Sequence, residues 1–284
     1  MYNIMEHNGN LYITGLHGFD IPKTLDCGQA FRWSCLDGGR WHGIAYGKYL
    51  EIDALEDGTV ILYSTDTADF NNLWRQYFDF DRDYDTIISD ISGNEVLKRA
   101  SVYGAGIHIL NQEPWETLCS FIISQNNNIP RIKGIIERLC ENFGDSCGGG
   151  YAFPSAERIA ALNEDDLSVL RCGFRARYII DAARKVADGT VDLNALKSLD
   201  VDSARNELMK ITGVGPKVAD CTLLFSLEFI EAFPKDVWIK RAMQVLFGGE
   251  LPQEALPYAG IVQQYIFYYA RETQLAFDEQ KERT

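Results

Sequence analysis

The sequence predicts an α+β fold, with an N-terminal antiparallel β-sheet domain over residues 1–112 and an all-helical domain over residues 113–284. Up to residue 64, aromatic and β-branched residues alternate with polar ones, as they do in half-buried strands. From residue 113 onward, apolar residues recur every three or four positions, as they do on one face of a helix. A chain of 284 residues with 46% apolar content is also long enough to bury a sizeable core.

The strand pattern occupies three segments, 10–21, 31–52 and 58–64, in which the triplets DGG and EDG mark turns. Two short helices are expected to follow the strands. Asp66 is suited to cap the first of them, over residues 67–78, and the second is expected near residues 84–100.

The helical pattern of the second half falls into eight segments, several of which carry start or stop signals such as Pro114, Pro130, Ser155 and Gly189. They span residues 113–125, 130–144, 155–171, 176–189, 202–212, 216–229, 236–248 and 258–272. No repeat of 20–50 residues is evident in the chain. The predicted domain boundary therefore lies near residue 112, where the helical pattern of apolar residues begins.

Composition limits the classes of function. No apolar run approaches the roughly 20 residues of a membrane span, and the N-terminus lacks a signal-peptide layout, so we expect a cytoplasmic protein with no membrane partner. The seven cysteines are scattered without a CxxC pair, which predicts reduced thiols and no iron–sulfur cluster. The four histidines have no ligand-like spacing. We therefore expect neither a metal nor a cofactor.

The net charge of −14 is unusual for a protein that binds nucleic acid, but the charges are unevenly distributed. Residues 171–185 carry five basic residues and one acidic residue. On composition alone, a solvated helix face is the better interpretation of this cluster. Charge alone neither establishes nor excludes a DNA partner.

The stretch ITGVGPK, residues 211–217, joins two predicted helices, at 203–211 and 216–227. Gly213 and Gly215 permit a tight hairpin with positive φ, and Pro216 suits the first helical position. The backbone amides of Gly213, Val214 and Gly215 could then hold a DNA phosphate without sequence preference. An ordinary corner between two helices would show the same glycine pattern.

Lys217 and Asp236 are the candidate catalytic pair. Lys217 lies at the positive end of its helix among apolar neighbours, which favours the neutral amine, a nucleophile able to form a Schiff base. A surface lysine that contacts phosphates is the alternative. Asp236 is positioned to cap the next helix, and a capping carboxylate near an amine could stabilise positive charge on a sugar.

Five blocks of sequence resemble, in the same order, those of the 8-oxoguanine DNA glycosylase family, within the helix-hairpin-helix, Gly/Pro…Asp superfamily of base-excision enzymes. They are CGQAFRW (27–33), SQNNNIPRI (124–132), GFRARY (173–178), GVGPKVADC (213–221) and PYAGIVQQYIF (257–267). The blocks fall in both halves of the chain. A P-x-D pattern at residues 234–236 accompanies them.

The resemblance implies a DNA glycosylase and AP lyase that removes 8-oxoguanine opposite cytosine from double-stranded DNA. By analogy with the family, Lys217 attacks C1′ of the damaged nucleotide and then supports β-elimination, and Asp236 is the catalytic carboxylate. The family recognises the lesion with a backbone carbonyl at the position of Gly28, because 8-oxoguanine carries a hydrogen on N7. A fixed carbonyl accepts that hydrogen but repels the lone pair of guanine.

The family also assigns residues to the two bases of the lesion pair. Cys221 and Phe267 match the pair that sandwiches the flipped base, and Gln263 matches the amide that contacts its Watson–Crick edge. The matches for the opposite cytosine and for the wedge that fills the vacated stack are Asn126, Arg131, Arg175 and Phe174. Guanidinium donors suit the acceptors of cytosine. Without the resemblance, ordinary packing or solvated side chains would explain each of these residues.

Trp238 departs from the family pattern, because well-known members carry a histidine near the 5′ phosphate at that position. Tryptophan can stack or donate one hydrogen bond but cannot carry charge, so the phosphate contact is expected to differ.

Two other functions stay open from the sequence. One is a related glycosylase for a different lesion, and the other is a non-catalytic module that binds damaged DNA, which would not require Lys217, Asp236 and Cys221 together. A monomer is the default expectation, located at the nucleoid in a bacterium or in the nucleus of a eukaryote.

Overall fold

A computed structural model describes residues 2–274 of the protein. It confirms the predicted α+β class, because an antiparallel sheet comes first along the chain and helices follow. The six strands run in the order β1-β2-β6-β5-β4-β3, and each neighbouring pair is antiparallel. The strands are β1 (Asn3–His7), β2 (Asn10–Thr14), β3 (Trp33–Cys35), β4 (Trp41–Ala45), β5 (Lys48–Ala54) and β6 (Val60–Tyr63).

The first strand, β1, has no counterpart among the predicted strands. It pairs with β2 through a two-residue turn at Asn8 and Gly9, whose φ angles are 51° and 74°. Asn-Gly is a strong hairpin signal, because both central residues of a type I′ turn need positive φ. The sequence therefore contained the signal for this hairpin.

Helices make up most of the remaining described chain. They are α1 (Ile21–Leu25), α2 (Thr67–Asp69), α3 (Arg75–Tyr77), α4 (Tyr84–Ile91), α5 (Glu95–Gly104), α6 (Pro114–Ser124), α7 (Ile129–Phe143), α8 (Ala156–Ala160), α9 (Arg175–Ala187), α10 (Val201–Leu208), α11 (Pro216–Ser226), α12 (Val237–Phe247) and α13 (Ala259–Glu272). A π-helical turn, Phe70–Trp74, joins α2 to α3. Three 3-10 turns lie at Asp166–Leu170, Ala195–Ser198 and Gln253–Tyr258, and a short hairpin pairs β7 (Ser146–Cys147) with β8 (Gly150–Tyr151).

Several helix boundaries differ from the expected ones. The Asp66 cap is confirmed, since its carboxylate accepts a hydrogen bond of 2.7 Å from the amide of Asp69. The single helix expected near 84–100 is two helices, because the Asn94 side chain accepts from the amides of Val96 and Leu97 and so begins α5 separately. Helix α10 ends at Leu208, three residues before the predicted end.

The segment Cys27–Trp33 lies between two hydrophobic cores. Ala30 and Trp33 pack in the core of the sheet, and the indole N–H of Trp33 donates a 2.7 Å hydrogen bond to the Tyr77 hydroxyl. Cys27 and Phe31 pack in the core of the helices. The segment is thus anchored to both cores. Gly28 lies in it between Cys27, which packs in the helical core, and Ala30, which packs in the core of the sheet.

The division into residues 1–112 and 113–284 stays a prediction. Packing crosses it, since α5 lies against α13. Among the helices described between residues 2 and 274, none is both long and apolar enough to cross a membrane.

Candidate active site

One small pocket, of about 60 Å³, collects six of the predicted site residues. They are Gly28, Lys217, Cys221, Asp236, Gln263 and Phe267. The other lining residues, which sequence reasoning assigned no role, are Cys27, Phe121, Phe225, Pro234 and Gln264. Pockets that enclose ligands of drug size hold roughly 300 Å³ or more, so side chains must move before a nucleobase can enter.

Lys217 is the second residue of α11, which begins with Pro216 after the N-cap Gly215. Its Nζ lies 3.5 Å from the hydroxyl oxygen of Ser124, at the end of α6. The same atom lies 4.7 Å from the centroid of the Phe121 ring, which is also on α6. The packing of α6 against α11 therefore holds the amine at the pocket.

Cys221 lies one turn after Lys217 on the same helix face and is 2% exposed. Burial raises the pKa of its thiol to about 11, although the nearby Lys217 amine opposes the shift. Near neutral pH the group is therefore an uncharged thiol. An uncharged, polarizable sulfur is suited to lie against the face of a base, not to act as a nucleophile.

Asp236 is the N-cap of α12, as predicted. Its Oδ1 accepts a 2.7 Å hydrogen bond from the amide of Ile239. The N-terminus of a helix favours a negative charge, and the capping bond fixes the direction of the carboxylate. The side chain is half-buried beside the same pocket as Lys217.

Gly28 adopts a φ of 86°, which an L side chain rarely adopts, and so fixes the course of the loop at the pocket. The next residue, Gln29, is fully buried and holds this loop. Its Nε2 donates to the carbonyls of Thr24 (2.9 Å) and His108 (2.8 Å), and its Oε1 accepts from the amide of Leu110 (3.0 Å). Sequence reasoning missed Gln29, although a glutamine within a mostly apolar block was a signal.

Helix α13 supplies Gln263 and Phe267, one turn apart on the face toward the pocket. Gln263 is 5% exposed, whereas Phe267 is half-buried. The greater exposure makes Phe267 the member of this pair better able to move aside for a ligand.

The hairpin before α11 has the conformation that its glycines predict. Gly213 has a φ of 82°, and a Cβ at this position would lie 2.4 Å from the Tyr178 ring. Val214 is buried, and its amide donates to the carbonyl of Ile211 at 3.1 Å. Within residues 2–274, the amides of Gly213 and Gly215 have no hydrogen-bond acceptor. These two, rather than Val214, are the amides available to a phosphate.

The four residues predicted for the opposite cytosine and the wedge do not line the pocket and form a second cluster. Asn126, with a φ of 49°, lies in the loop between α6 and α7, two residues after Ser124. Arg175 is 3% exposed and donates to the carbonyls of Gln125 (3.0 Å), Asn126 (3.0 Å) and Cys172 (3.1 Å). Its guanidinium therefore holds the loop in place.

Asn126, Arg131 and Phe174 are the exposed members of this second cluster. The Phe174 ring is 48% exposed, and its centroid lies 4.6 Å from the Arg175 guanidinium carbon. Burial lowers the pKa of Arg175, and the charge of Arg131 lowers it further. The cluster thus combines positive charge with an exposed aromatic ring, as a surface that contacts DNA requires.

Trp238 is the second residue of α12 and is half-buried. It follows Asp236 by two positions but is not among the described residues that line the pocket. Its contact with a phosphate stays a prediction.

The seven cysteines carry free thiols. Over residues 2–274, no three His, Cys, Asp or Glu side chains are grouped so that they could hold a metal ion. The chemistry available in the pocket is that of an amine, a carboxylate, a thiol and amide groups.

Two family models match adjacent parts of the chain. The model of the 8-oxoguanine DNA glycosylase N-terminal domain matches residues 12–118, and that of the HhH-GPD superfamily of base excision DNA repair proteins matches residues 119–255. The pocket draws on both matched regions and on α13 beyond them, whereas the hairpin lies within the second matched region.

Known proteins resemble the chain over most of its length. The structure of MBOgg1 in complex with a low-affinity DNA ligand is 40% identical, with a TM-score of 0.91 over 96% of this chain and 99% of that one. The 8-oxoguanine glycosylase/lyase of Clostridium acetobutylicum, in complex with DNA containing cytosine opposite 8-oxoguanine, is 37% identical, with a TM-score of 0.89 over 96% and 98% of the two chains.

A curated relative is the N-glycosylase/DNA lyase of Saccharomyces cerevisiae, 44% identical over an alignment of 255 residues that covers 78% of this chain and 66% of the yeast protein. The chain spans about two thirds of the length of the curated relatives it matches.

Proposed function

This chain belongs to the 8-oxoguanine DNA glycosylase family, and we propose that it excises 8-oxoguanine opposite cytosine from double-stranded DNA and then cleaves the strand at the abasic site. The observation that carries the proposal is the pocket, in which the side chains of Lys217, Asp236 and Cys221 converge. The relatives support it, since they are named for glycosylase and lyase activity and one was solved with the 8-oxoguanine·cytosine pair.

The chemistry begins at the amine of Lys217. Its lone pair forms a bond to C1′ while the glycosidic bond breaks, and the electron pair leaves with the base, which takes up a proton. The carboxylate of Asp236 stabilises the positive charge that grows on the sugar as the base departs. Opening of the sugar ring gives an imine, and loss of a proton from C2′ then breaks the bond between C3′ and its phosphate oxygen.

Selection of the lesion follows from the groups around the base. The base must leave the stack, which costs a few kcal/mol, before it can reach the pocket. The Gly28 carbonyl then accepts the hydrogen on N7, a discrimination against guanine of roughly 1–3 kcal/mol. Cys221 and Phe267 enclose the base faces, and Gln263 contacts its Watson–Crick edge.

The second cluster is proposed to hold the opposite strand. Arg131 and Arg175 donate to cytosine, Asn126 contributes from the loop between α6 and α7, and Phe174 fills the space that the flipped base leaves. In the unbound protein, the hydrogen bonds of Arg175 occupy four of its five donors, so its contact with cytosine needs the remaining N–H or an exchange of partners.

The amides of Gly213 and Gly215, which have no acceptor within residues 2–274, and Trp238 of α12 are proposed to contact the phosphates of the damaged strand. Binding through phosphates should weaken steeply as the salt concentration rises.

An enzyme with this substrate acts where the DNA is, at the nucleoid or in the nucleus. One copy of the chain supplies the whole pocket, which supports a monomer.

Borohydride trapping on a duplex with a single 8-oxoguanine·cytosine pair tests the proposal. Reduction of the imine should give a covalent adduct, and Lys217→Gln should abolish it. An adduct only with another lesion would establish a glycosylase of different specificity. Binding to the duplex without any adduct would establish a non-catalytic module.

A further inference from the structure

The geometry points to a role for Gln264, next to Gln263 on α13. We propose that Gln264 is a positioning residue that sets which end of the Gln263 carboxamide faces the lesion, and so tunes selection of the base. The inference rests on the proposed function and deepens it, because it concerns the specificity of the same pocket.

The proposal is based on two consecutive buried glutamines of α13. Gln263 and Gln264 are 5% and 4% exposed, and both line the pocket. The Nε2 of Gln264 donates a 2.7 Å hydrogen bond to the Oε1 of Gln263. The two amides therefore form one unit at the pocket wall.

The same pair contains an unsatisfied acceptor. Among the described residues, Gln264 Oε1 is the buried side-chain polar atom that lacks a hydrogen-bond partner. A buried acceptor without a donor opposes folding, and an apolar side chain of similar shape would avoid that cost. Packing by itself therefore does not explain a glutamine at this position.

An amide has two different ends, and a half-turn exchanges them. With Gln264 in the orientation in which it donates to Gln263 Oε1, a Gln263 reversed by itself would place its own N–H groups against a donor. The pair thus leaves Gln263 with both Nε2 hydrogens and one lone pair of Oε1 free. Guanine derivatives present N1–H and amino donors with the O6 acceptor, whereas adenine derivatives present an N1 acceptor and an amino donor. An amide held in one orientation can match only one of these edges well.

Single-turnover excision of 8-oxoguanine, compared with cleavage of a duplex that already contains an abasic site, separates this role from a structural one. Gln264→Met keeps the side-chain length but removes the donor. We expect its excision rate to fall about threefold to tenfold, the range of one net hydrogen bond. Cleavage at the abasic site involves no base edge, so its rate should stay within about twofold of the wild-type rate. That difference is smaller than the rate change expected from the loss of one net hydrogen bond.

The double variant Gln263→Met/Gln264→Met provides the matched control. If Gln264 acts through Gln263, its substitution should cost nothing further once Gln263 is already methionine. Gln264→Glu is a second probe, because a carboxylate only accepts and would turn the Gln263 amide round. It should lower excision of 8-oxoguanine relative to 8-oxoadenine more than Gln264→Met does.

Equal losses of excision and abasic-site cleavage in Gln264→Met would overturn the inference and indicate a packing role. Additive losses in the double variant would also overturn it, since the two residues would then act independently. A wild-type protein inactive on both duplexes would instead refute the proposed function, so the two failures are distinguishable.

Discussion

The amine of Lys217 lies 4.7 Å from the centroid of the Phe121 ring, so the candidate nucleophile rests on a buried aromatic surface. Phe121 is 2% exposed and stacks on Phe225 of α11, with ring centroids 5.5 Å apart. The helix that carries the lysine and the helix that carries the ring are thereby fixed against each other. The position of the amine depends on this contact.

Replacing Phe121 with leucine should slow imine formation about tenfold to a hundredfold, because the ring that positions the Lys217 amine is lost and a misplacement of about 1 Å can cost up to about a hundredfold in rate. The rate of borohydride trapping under single-turnover conditions measures the effect. Phe229→Leu is the control, since Phe229 is also buried but does not line the pocket. Equal slowing in both variants would show that the loss reflects general destabilisation.

Gly213→Ala should destabilise the protein much more than Gly215→Ala. A Cβ at Gly213 meets the Tyr178 ring at 2.4 Å on a backbone with φ of 82°, whereas none of the described atoms lies within 4 Å of a Cβ at Gly215. Positive φ alone costs an alanine roughly 1–2 kcal/mol. Urea unfolding of the two variants measures the difference, and similar midpoints would contradict it.

Arg131→Ala should relax the preference for cytosine opposite the lesion and leave stability within about 0.5 kcal/mol of wild type, because the side chain is exposed. Arg175→Ala should lower stability by about 1–3 kcal/mol, because one buried and two partly buried backbone carbonyls lose their donor. Excision opposite each of the four bases, together with thermal unfolding, tests both expectations. Unchanged discrimination in Arg131→Ala would remove that residue from the proposed cytosine contact.

Glu116 should make folding stability depend on pH. Burial raises the pKa of this carboxyl from 4.5 to about 7, although the Arg32 guanidinium, 3.4 Å away, opposes the shift. The folded chain then binds the proton more tightly than the unfolded chain does. The contribution of this group is therefore most favourable below pH 4.5 and declines as the pH rises to about 7, by at most about 3.5 kcal/mol at 1.4 kcal/mol per pKa unit.

Glu116→Gln removes the titrating group and keeps its shape. Relative to wild type, the variant should gain stability as the pH is raised from 5 to 8, which urea unfolding at each pH measures. A difference between the two proteins that stays constant with pH would show that Glu116 is ionised throughout this range.

Part of the candidate site could be predicted from short blocks with local meaning, and the remaining residues only from the family resemblance. Gly213, Pro216 and Lys217 specify a hairpin and a helix start, and Asp236 specifies a cap; each depends on a few neighbouring residues. The contribution of Gln29 and Phe121 was missed because it depends on partners about 80 and 100 positions away in the sequence. The local sequence around a buried glutamine or phenylalanine does not indicate which distant residue it will contact.

By itself, the sequence determined the α+β class, the helix starts and the kinds of side chain available for chemistry, since periodicity and capping act over a few residues. Only the tertiary structure decided that six of the predicted residues share one pocket while Asn126, Arg131, Arg175 and Phe174 lie outside it. It also decided that Arg175 is committed to backbone carbonyls and that Gln264 donates to Gln263. The physical reason is that distances between separate helices are set by packing of the whole core, which no local pattern encodes.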